Sequence, residues 1–193
     1  TWDEASDDPA SPKYNAIRKS LLEAANRIAQ GTGSVVQMED LAIILSPTAA
    51  LRMANTGEIH NFVKYGQYSK PARDGRGSAG KWGLPAEYAG FKIIIEDPVR
   101  VSTRPAAAGT AGTRAYVKSD TSAIMVSMKG GSDGAYHKGS YATFQCFHHG
   151  ALMQIEAWTD ARHRRIDFAV TEEVYLKLVQ PAAGYLITGI LPG

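Results

Sequence analysis

The chain has 193 residues, which suits one domain or one domain with an extension. Hydrophobic residues make up 44% and charged residues 21%, an ordinary globular composition that excludes wholesale disorder. The chain has 21 Lys and Arg and 19 Asp and Glu, which give a formal charge of +2. A protein whose main role is to bind the phosphates of nucleic acid would carry a larger positive charge. The single cysteine, Cys146, excludes an intrachain disulfide and favours a reducing compartment. Nothing in the sequence predicts a signal peptide or a membrane span.

The N-terminal segment predicts an irregular acidic lead-in over residues 1–10, followed by an amphipathic helix of about five turns. Ser11 and Pro12 predict the start of this helix, because serine is a favoured N-cap and proline suits the first helical position. Gly31 is expected beyond its end in the left-handed conformation. The apolar positions of the helix share one face: Ile17, Leu21, Ala24 and Ile28.

The next segment predicts a buried strand and two short helices. The run LAIIL at 41–45 is continuously apolar, which favours a strand buried on both faces. Ser46 and Pro47 repeat the N-cap signal for a helix that ends near Gly57, and a further helix is expected over 58–65.

The second half of the chain predicts mostly strands. They are expected over 91–96, 122–128, 141–148, 152–158, 165–170 and 184–191. Residues 172–179 are expected to form a short helix or a turn. Helices followed by strands predict an α+β fold, with a mixed sheet and flanking helices.

Alternation within these strands predicts which side chains share a face. Ala142, Phe144 and Cys146 fall on one face of their strand, and Met153, Ile155 and Ala157 on one face of another. The strand over 165–170 places Ile166, Phe168 and Val170 inward and Arg165 and Asp167 outward. Joined by 159–164, the strands over 152–158 and 165–170 predict a hairpin.

Two segments predict long mobile loops, because they are rich in glycine and lack large apolar side chains. They cover 66–81 and 103–114. The first carries four basic residues that we interpret as part of a mobile loop: Lys70, Arg73, Arg76 and Lys81. It also matches the phosphate-loop spacing over Gly75–Lys81, but Trp82 stands where a true phosphate loop has the Mg²⁺-binding Ser or Thr. A flexible basic loop is therefore the favoured interpretation.

Cys146, His148 and His149 lie close together in sequence, which raises a zinc site or a Cys–His nucleophile as hypotheses. A zinc site needs about four ligands, and no second pair with matching spacing is present. Neighbours on one strand cannot easily make the nucleophile–base hydrogen bond that Cys–His chemistry requires. We therefore assign no catalytic, metal or cofactor residue.

A basic cluster, Arg162, Arg164 and Arg165, falls at the predicted hairpin end. A nucleic-acid patch would add interleaved aromatic residues and a basic domain, and neither is present. Two interpretations stay open: a solvated turn, or a contact with the carboxylates of a neighbouring subunit. On the second, Glu172 and Glu173 of another copy are the candidate partners.

Four stretches of the sequence follow one another in a distinctive order. Residues 1–33 contain TWDEASDDP and the helix ending in GTG, and residues 41–66 begin LAIILSPTAALRMANTGE. Residues 82–102 read WGLPAEYAGFKIIIEDPVRVS, and residues 155–191 contain IEAWTDARHRRIDFAVTEEVYLKLVQ. In this order the four stretches resemble the major capsid proteins of tailed bacteriophages, which have the Hong Kong 97-like fold. Each motif alone is loose, because these proteins share a pattern more than fixed residues.

The resemblance implies a division into a peripheral-domain-like segment, 1–40, and an axial-type α+β domain, 41–193. The N-terminal arm and the extended two-stranded loop of the family do not appear before this region, so we expect the axial domain and part of the peripheral domain only.

The resemblance also implies a structural, non-enzymatic subunit of an icosahedral shell around phage DNA, without a cofactor. Its partners would be copies of itself in hexamers and pentamers, with scaffolding, portal or decoration proteins as further candidates and DNA contacted only non-specifically. Such a protein is assembled in the bacterial cytoplasm and resides in the virion capsid. Two alternatives stay open: the shell protein of a bacterial nanocompartment, and, less favoured, a nucleotide-binding enzyme using Gly75–Lys81.

Overall fold

A computed structural model describes residues 1–65, 82–101, 114–129, 141–148, 154–160, 162–163 and 165–192. The helices are α1 (Ala16–Gly31), α2 (Pro47–Ala54) and α3 (Gly57–Tyr65). The strands are β1 (Leu41–Leu45), β2 (Glu87–Tyr88), β3 (Phe91–Ile95), β4 (Val99–Val101), β5 (Arg114–Tyr116), β6 (Ser122–Ser127), β7 (Phe144–His148), β8 (Gln154–Asp160), β9 (Arg165–Thr171), β10 (Val174–Leu178) and β11 (Gly184–Thr188). This mixture of helices and a mixed sheet confirms the predicted α+β class.

The core of the fold is a five-stranded sheet with strand order β11-β6-β1-β3-β2. The central strand β1 runs parallel to β3, with Ile43 opposite Ile93, and antiparallel to β6. The outer pairs β6–β11 and β2–β3 are antiparallel. Four of the five residues of β1 are buried, which confirms the prediction made from the apolar run LAIIL.

Helix α1 packs its apolar face into this core. The predicted face is buried as expected: Ile17, Leu21, Ala24 and Ile28. The acidic segment over residues 1–10 also contributes to the core. Trp2 is buried, and its Nε1 donates a hydrogen bond to Ser20 Oγ over 2.9 Å. The backbone N–H of Trp2 donates to the carbonyl of Ile190, so the two ends of the chain meet at the core.

The predicted start of α1 at Ser11 and Pro12 is wrong. The hydroxyl of Ser11 instead accepts the N–H of Lys13 in a turn, and Asn15, in the left-handed conformation, precedes the helix. The first turn of α1 is capped from elsewhere in the chain. The buried carboxylate of Glu58 in α3 accepts the N–H groups of Ile17 and Arg18 over 3.1 and 2.9 Å. A carboxylate at this place satisfies two amides that have no partner within the helix and opposes the positive end of its dipole.

The end of α1 also differs in detail from the prediction. Gly31 is the last residue of the helix, and the left-handed glycine is Gly33, with φ of 62°. A Cβ on Gly31 would lie 3.3 Å from the carbonyl oxygen of Ala182, so glycine allows the close approach of the turn at Pro181–Ala183.

Helix α2 confirms the N-cap prediction. The hydroxyl of Ser46 accepts the N–H of Ala49 over 3.2 Å, and Pro47 occupies the first turn. The helix ends at Ala54, three residues before Gly57. Among the described helices, none is long and apolar enough to cross a bilayer.

The prediction of a helix or turn over 172–179 is wrong, because residues 174–178 form strand β10, which pairs antiparallel with β7. Alternating valine and leucine at Val174, Leu176 and Leu178 suit a strand, and β7 supplies the hydrogen-bonding partner. Of the described strands from β4 onward, only β6 and β11 join the main sheet. The others form three two-stranded ribbons: β4–β5, β7–β10 and β8–β9.

Thr143 connects the β7–β10 ribbon to the main sheet. Its Oγ1 accepts the N–H of Ser127 and donates to the carbonyl of Ala183, both over 2.8 Å. Its carbonyl accepts the N–H of Val179, just beyond β10. A side chain that is 3% exposed thus fixes the point where the ribbon leaves the body.

Candidate functional site

The reactive side chains of the described residues do not converge. Within those residues there is no group of three or more His, Cys, Asp or Glu that could hold a metal ion. Cys146 is exposed on β7 and pairs with Leu176 of β10. His149 and Gly75–Lys81 lie outside the described residues. The features that stand out are three ribbons with exposed apolar side chains.

The β8–β9 ribbon has one apolar and one more polar face. Its strands pair from Gln154 opposite Thr171 to Asp160 opposite Arg165. Because side chains alternate between faces, one face combines the odd positions of β8 with the even positions of β9. This β8–β9 apolar face consists of Ile155, Ala157, Thr159, Ile166, Phe168 and Val170.

The predicted sharing of a face by Ile166, Phe168 and Val170 is confirmed, but their predicted inward orientation is wrong. Ile155 and Ala157 share a face as predicted, and Met153, predicted to share it, lies outside the described residues. Ile166 is 70% exposed and Phe168 is 72% exposed, because the described part of the chain places nothing over them. Ile155 and Val170 are exposed as well. Alternation fixes which side chains share a face, whereas burial depends on what packs against that face.

The β7–β10 ribbon repeats this arrangement. Leu176 pairs with Cys146 and Leu178 with Phe144, so these residues share a face with Val174. All are exposed, Leu176 by 66%. The predicted face-sharing of Phe144 and Cys146 is therefore confirmed. We name this surface the β7–β10 apolar face.

The β4–β5 ribbon is shorter. Val99 pairs with Tyr116 and Val101 with Arg114, and both valines are more than half exposed. Together with Ala115, these residues line an open cleft at the surface.

Uncovered apolar ribbons are unusual in a protein that acts alone. Monomers rarely expose contiguous apolar patches larger than a few hundred Å², and larger patches mark contacts with other molecules. An isolated two-stranded ribbon is also only marginally stable in water. The apolar side chains exposed on the three ribbons make them candidate contact surfaces.

The predicted basic cluster and its acidic counterparts lie at opposite ends of β9. Arg162 is exposed in the turn between β8 and β9, and Arg165 is the first residue of β9. Glu172 and Glu173 are exposed in the link between β9 and β10. Arg164 lies outside the described residues, as do the loop residues Lys70, Arg73, Arg76 and Lys81.

No protein-family model matches the sequence, and no curated protein matches it. Solved structures share the fold. A phage-related protein from Bordetella bronchiseptica RB50 is similar with a TM-score of 0.63 and 15% identity, over 100% of this chain and 55% of that one. A chain in the asymmetric unit of the bacteriophage PhiM1 mature capsid is similar with a TM-score of 0.52 and 12% identity, over 92% of this chain and 47% of that one.

The fold is phage capsid-like. This chain spans about half the length of both similar proteins. The likeness agrees with the predicted α+β class of fold.

Proposed function

We propose that the chain is part of a phage major capsid protein of the Hong Kong 97-like fold, a subunit that assembles with copies of itself into an icosahedral shell around DNA. In this proposal residues 1–40 belong to the peripheral domain and residues 41–193 form the axial-type domain. The shell is assembled in the cytoplasm of the bacterial host and remains in the virion.

One observation carries the proposal. A body with a capsid-like fold and a buried apolar core carries ribbons whose apolar faces are exposed. Ile166, Phe168 and Leu176 are each more than three-fifths exposed, although side chains of these types are normally found inside. In a shell, neighbouring copies would bury these side chains, because every copy contacts several others.

The charge of the chain suits such a role. With a formal charge of +2, the chain attracts the phosphates of DNA only weakly. Weak attraction suits a shell, because an inner wall that bound DNA strongly would hinder its packaging. Copies of the chain in hexamers and pentamers are therefore the proposed principal partners, with DNA contacted non-specifically. Scaffolding, portal or decoration proteins are the proposed additional partners.

The test is expression of the complete reading frame in bacteria, followed by sedimentation and negative-stain electron microscopy. We expect closed particles of uniform size. A single small species across salt, pH and protein concentration, with the fold intact by circular dichroism, would overturn the proposal. Nuclease-protected DNA in particles from infected cells supports a virion shell, whereas protein cargo without DNA points to a nanocompartment.

A further inference from the structure

The five-stranded sheet has two edges of different kinds. At one edge, β2 has only two residues. At the other, β11 has five residues and keeps a regular register with β6 along its whole length. Proteins normally protect a long edge strand with a charged side chain, a proline, a bulge or a covering segment. The sequence of β11, GYLIT, contains no charge or proline and favours a strand, so this edge is open to pairing unless something covers it.

The hydrogen bonds between β1 and β6 determine which backbone groups of β6 face β11. The N–H of Met128 donates to the carbonyl of Asp40 over 2.8 Å, two positions beyond the pair Ala42–Val126. Hydrogen-bonded and non-bonded pairs alternate along an antiparallel ladder. The even positions of β6 therefore bond to β1, and its odd positions direct their N–H and C=O groups toward β11.

The same alternation determines which groups of β11 point outward. Tyr185 and Ile187 lie opposite odd positions of β6, so their backbone groups bond to β6. The backbone groups of the other three residues point to the outer edge: Gly184, Leu186 and Thr188. The N–H of Gly184 bonds to the carbonyl of Pro181 in the preceding turn. The remaining outward N–H and C=O groups make no hydrogen bond to any described residue, and the Leu186 side chain is 56% exposed.

We propose that β11 of one copy pairs antiparallel with β11 of a second copy about a two-fold axis at Leu186, so that the two five-stranded sheets become continuous. This inference names one contact of the proposed self-assembly and to that extent rests on the proposed function. The pairing is confined to residues 184–188, because the turn at Pro181–Ala183 precedes them and Gly189, with φ of 69°, follows them.

The outer edge of β11 is complementary to itself. In this register each Leu186 N–H donates to the Leu186 carbonyl of the other copy, and each Thr188 N–H donates to the Gly184 carbonyl. The four hydrogen bonds use only groups that have no partner among the described residues, since the occupied N–H of Gly184 is not needed. Identical patches meet across the axis, as an isologous contact requires.

The exposed Leu186 side chain also favours a second copy as the partner. In a hydrogen-bonded antiparallel pair the opposite Cα atoms lie about 5.5 Å apart, and their side chains share a face. The two Leu186 side chains therefore meet across the axis, and each covers the other. An unrelated strand would match the backbone groups but need not place an apolar side chain there.

The contact is weak on its own. Five residues extend roughly 16 Å at about 3.3 Å per residue, and only one strand edge of each copy is covered. Stable pairs bury about 800 Å² per partner, which is more than such an edge provides. We therefore expect dimers at high protein concentration, and lasting pairing only where other contacts of an assembly hold the two copies together.

Amide hydrogen exchange at single-residue resolution in the complete protein tests the pairing. The amides of Tyr185 and Ile187 bond to β6, so we expect them to exchange slowly at every concentration. The amides of Leu186 and Thr188 are expected to exchange quickly at micromolar concentration, where sedimentation shows single copies, and at least tenfold more slowly at millimolar concentration and in particles. Fast exchange of Leu186 and Thr188 in all three conditions overturns the proposal. Slow exchange in single copies also overturns it, because the edge is then covered within one copy.

Charge at position 186 tests whether the partner is a second copy. Leu186→Lys and Leu186→Glu each place like charges opposite one another, which is destabilising in a strand pair. We expect each variant to self-associate at least tenfold more weakly by sedimentation equilibrium, and an equimolar mixture to recover the association. Leu51→Lys, at a leucine of α2 that is 48% exposed, is the matched control and is expected to associate like the wild type. With the folds intact by circular dichroism, a mixture no better than its two components overturns the two-fold pairing.

Failure of this inference is distinct from failure of the proposed function. Closed particles in which the Leu186 and Thr188 amides exchange quickly overturn the β11 contact and leave the shell assignment standing. If the complete protein forms no particles, the shell assignment fails, and exchange at millimolar concentration still decides the contact. Protected amides together with unchanged association of Leu186→Lys would assign the edge to a different strand and overturn self-pairing.

Discussion

The phenol of Tyr88 donates a hydrogen bond to the same carboxylate oxygen of Glu58 that accepts the N–H of Arg18. Glu58 is 4% exposed, and its second oxygen accepts the N–H of Ile17. One carboxylate therefore joins the first turn of α1, the helix α3 and the strand β2. This junction fixes the N-terminal helix against the body that carries the ribbons.

Removal of this carboxylate is expected to destabilise the fold. Glu58→Ala leaves two amides and a phenol without their acceptor, which we expect to lower the free energy of unfolding by about 2–4 kcal/mol. Urea unfolding followed by circular dichroism measures it. Glu87→Ala, at an exposed neighbour of Tyr88, is the control and is expected to change stability by less than about 0.5 kcal/mol. Equal effects from the two variants would contradict the role of Glu58.

Tyr88 is expected to make the fold sensitive to alkaline pH. Burial, and then its hydrogen bond to Glu58, raise the pKa of the Tyr88 phenol well above its ordinary value of 10.0. Because the folded state holds this proton more tightly than the unfolded state, the stabilisation is complete below about pH 10 and is lost as the pH rises further.

The measurement is a phenolate absorbance titration with unfolding followed in parallel. We expect a late-ionising tyrosine that appears together with unfolding, and its absence in Tyr88→Phe. Stability of Tyr88→Phe is expected to fall less steeply above pH 10 than that of the wild type. Identical alkaline profiles would show that Tyr88 ionises freely in the folded chain.

Much of the fold follows from local patterns in the sequence. The buried face of α1, the strand β1 and the Ser46 cap each depend on residues that are close together in the chain. The start of α1 depends on Glu58, which lies 41 positions after Ile17. No local signal shows such a partner, so the competing signal at Ser11 and Pro12 gave the wrong start.

The ribbons show the same limit of prediction from sequence, because local patterns do not show which distant segments pack together. Alternation at Ile166, Phe168 and Val170 correctly predicts a shared face, but hydrophobicity alone does not show whether another part of the chain covers that face. The pairing of β10 with β7 joins segments roughly 30 residues apart, so no local signal shows it, although the alternation of Val174, Leu176 and Leu178 itself favours a strand. Exposure of a patterned apolar face, which only the structure shows, is the information that points to a partner.

The junction at Thr143 gives a further prediction. A Cβ on Gly184 would lie 2.6 Å from Thr143 Cγ2, and Thr143 cannot rotate away without losing its two hydrogen bonds. Gly184→Ala is therefore expected to cost about 1–3 kcal/mol of stability through overpacking.

Thr143→Ser removes the obstructing methyl and keeps the hydroxyl. We expect Thr143→Ser combined with Gly184→Ala to recover most of the stability that Gly184→Ala alone loses, in thermal or urea unfolding. Thr143→Val with Gly184→Ala is the control, and it is expected to remain destabilised because the methyl stays and the hydrogen bonds are lost. No recovery with serine would show that the strain lies elsewhere.

Substitution on the β7–β10 apolar face is expected to separate folding from assembly. Leu176→Ser changes a side chain that is 66% exposed, so the free energy of unfolding is expected to change by less than about 1 kcal/mol. Particle yield is expected to fall several-fold, because the face loses apolar contact with a neighbour. Lys177→Ser, on the opposite face of the same strand, is the matched control for yield. A large loss of stability in Leu176→Ser would instead mean that the face is covered within one copy.

Electron cryo-microscopy of assembled particles at side-chain resolution tests the central claim most directly. The claim is that Ile166, Phe168 and Leu176, which are exposed in a single copy, are buried by neighbouring copies in the assembled particle. We expect the density to show these three side chains buried against neighbouring copies. Closed particles in which the β8–β9 and β7–β10 apolar faces remain open to solvent would contradict it.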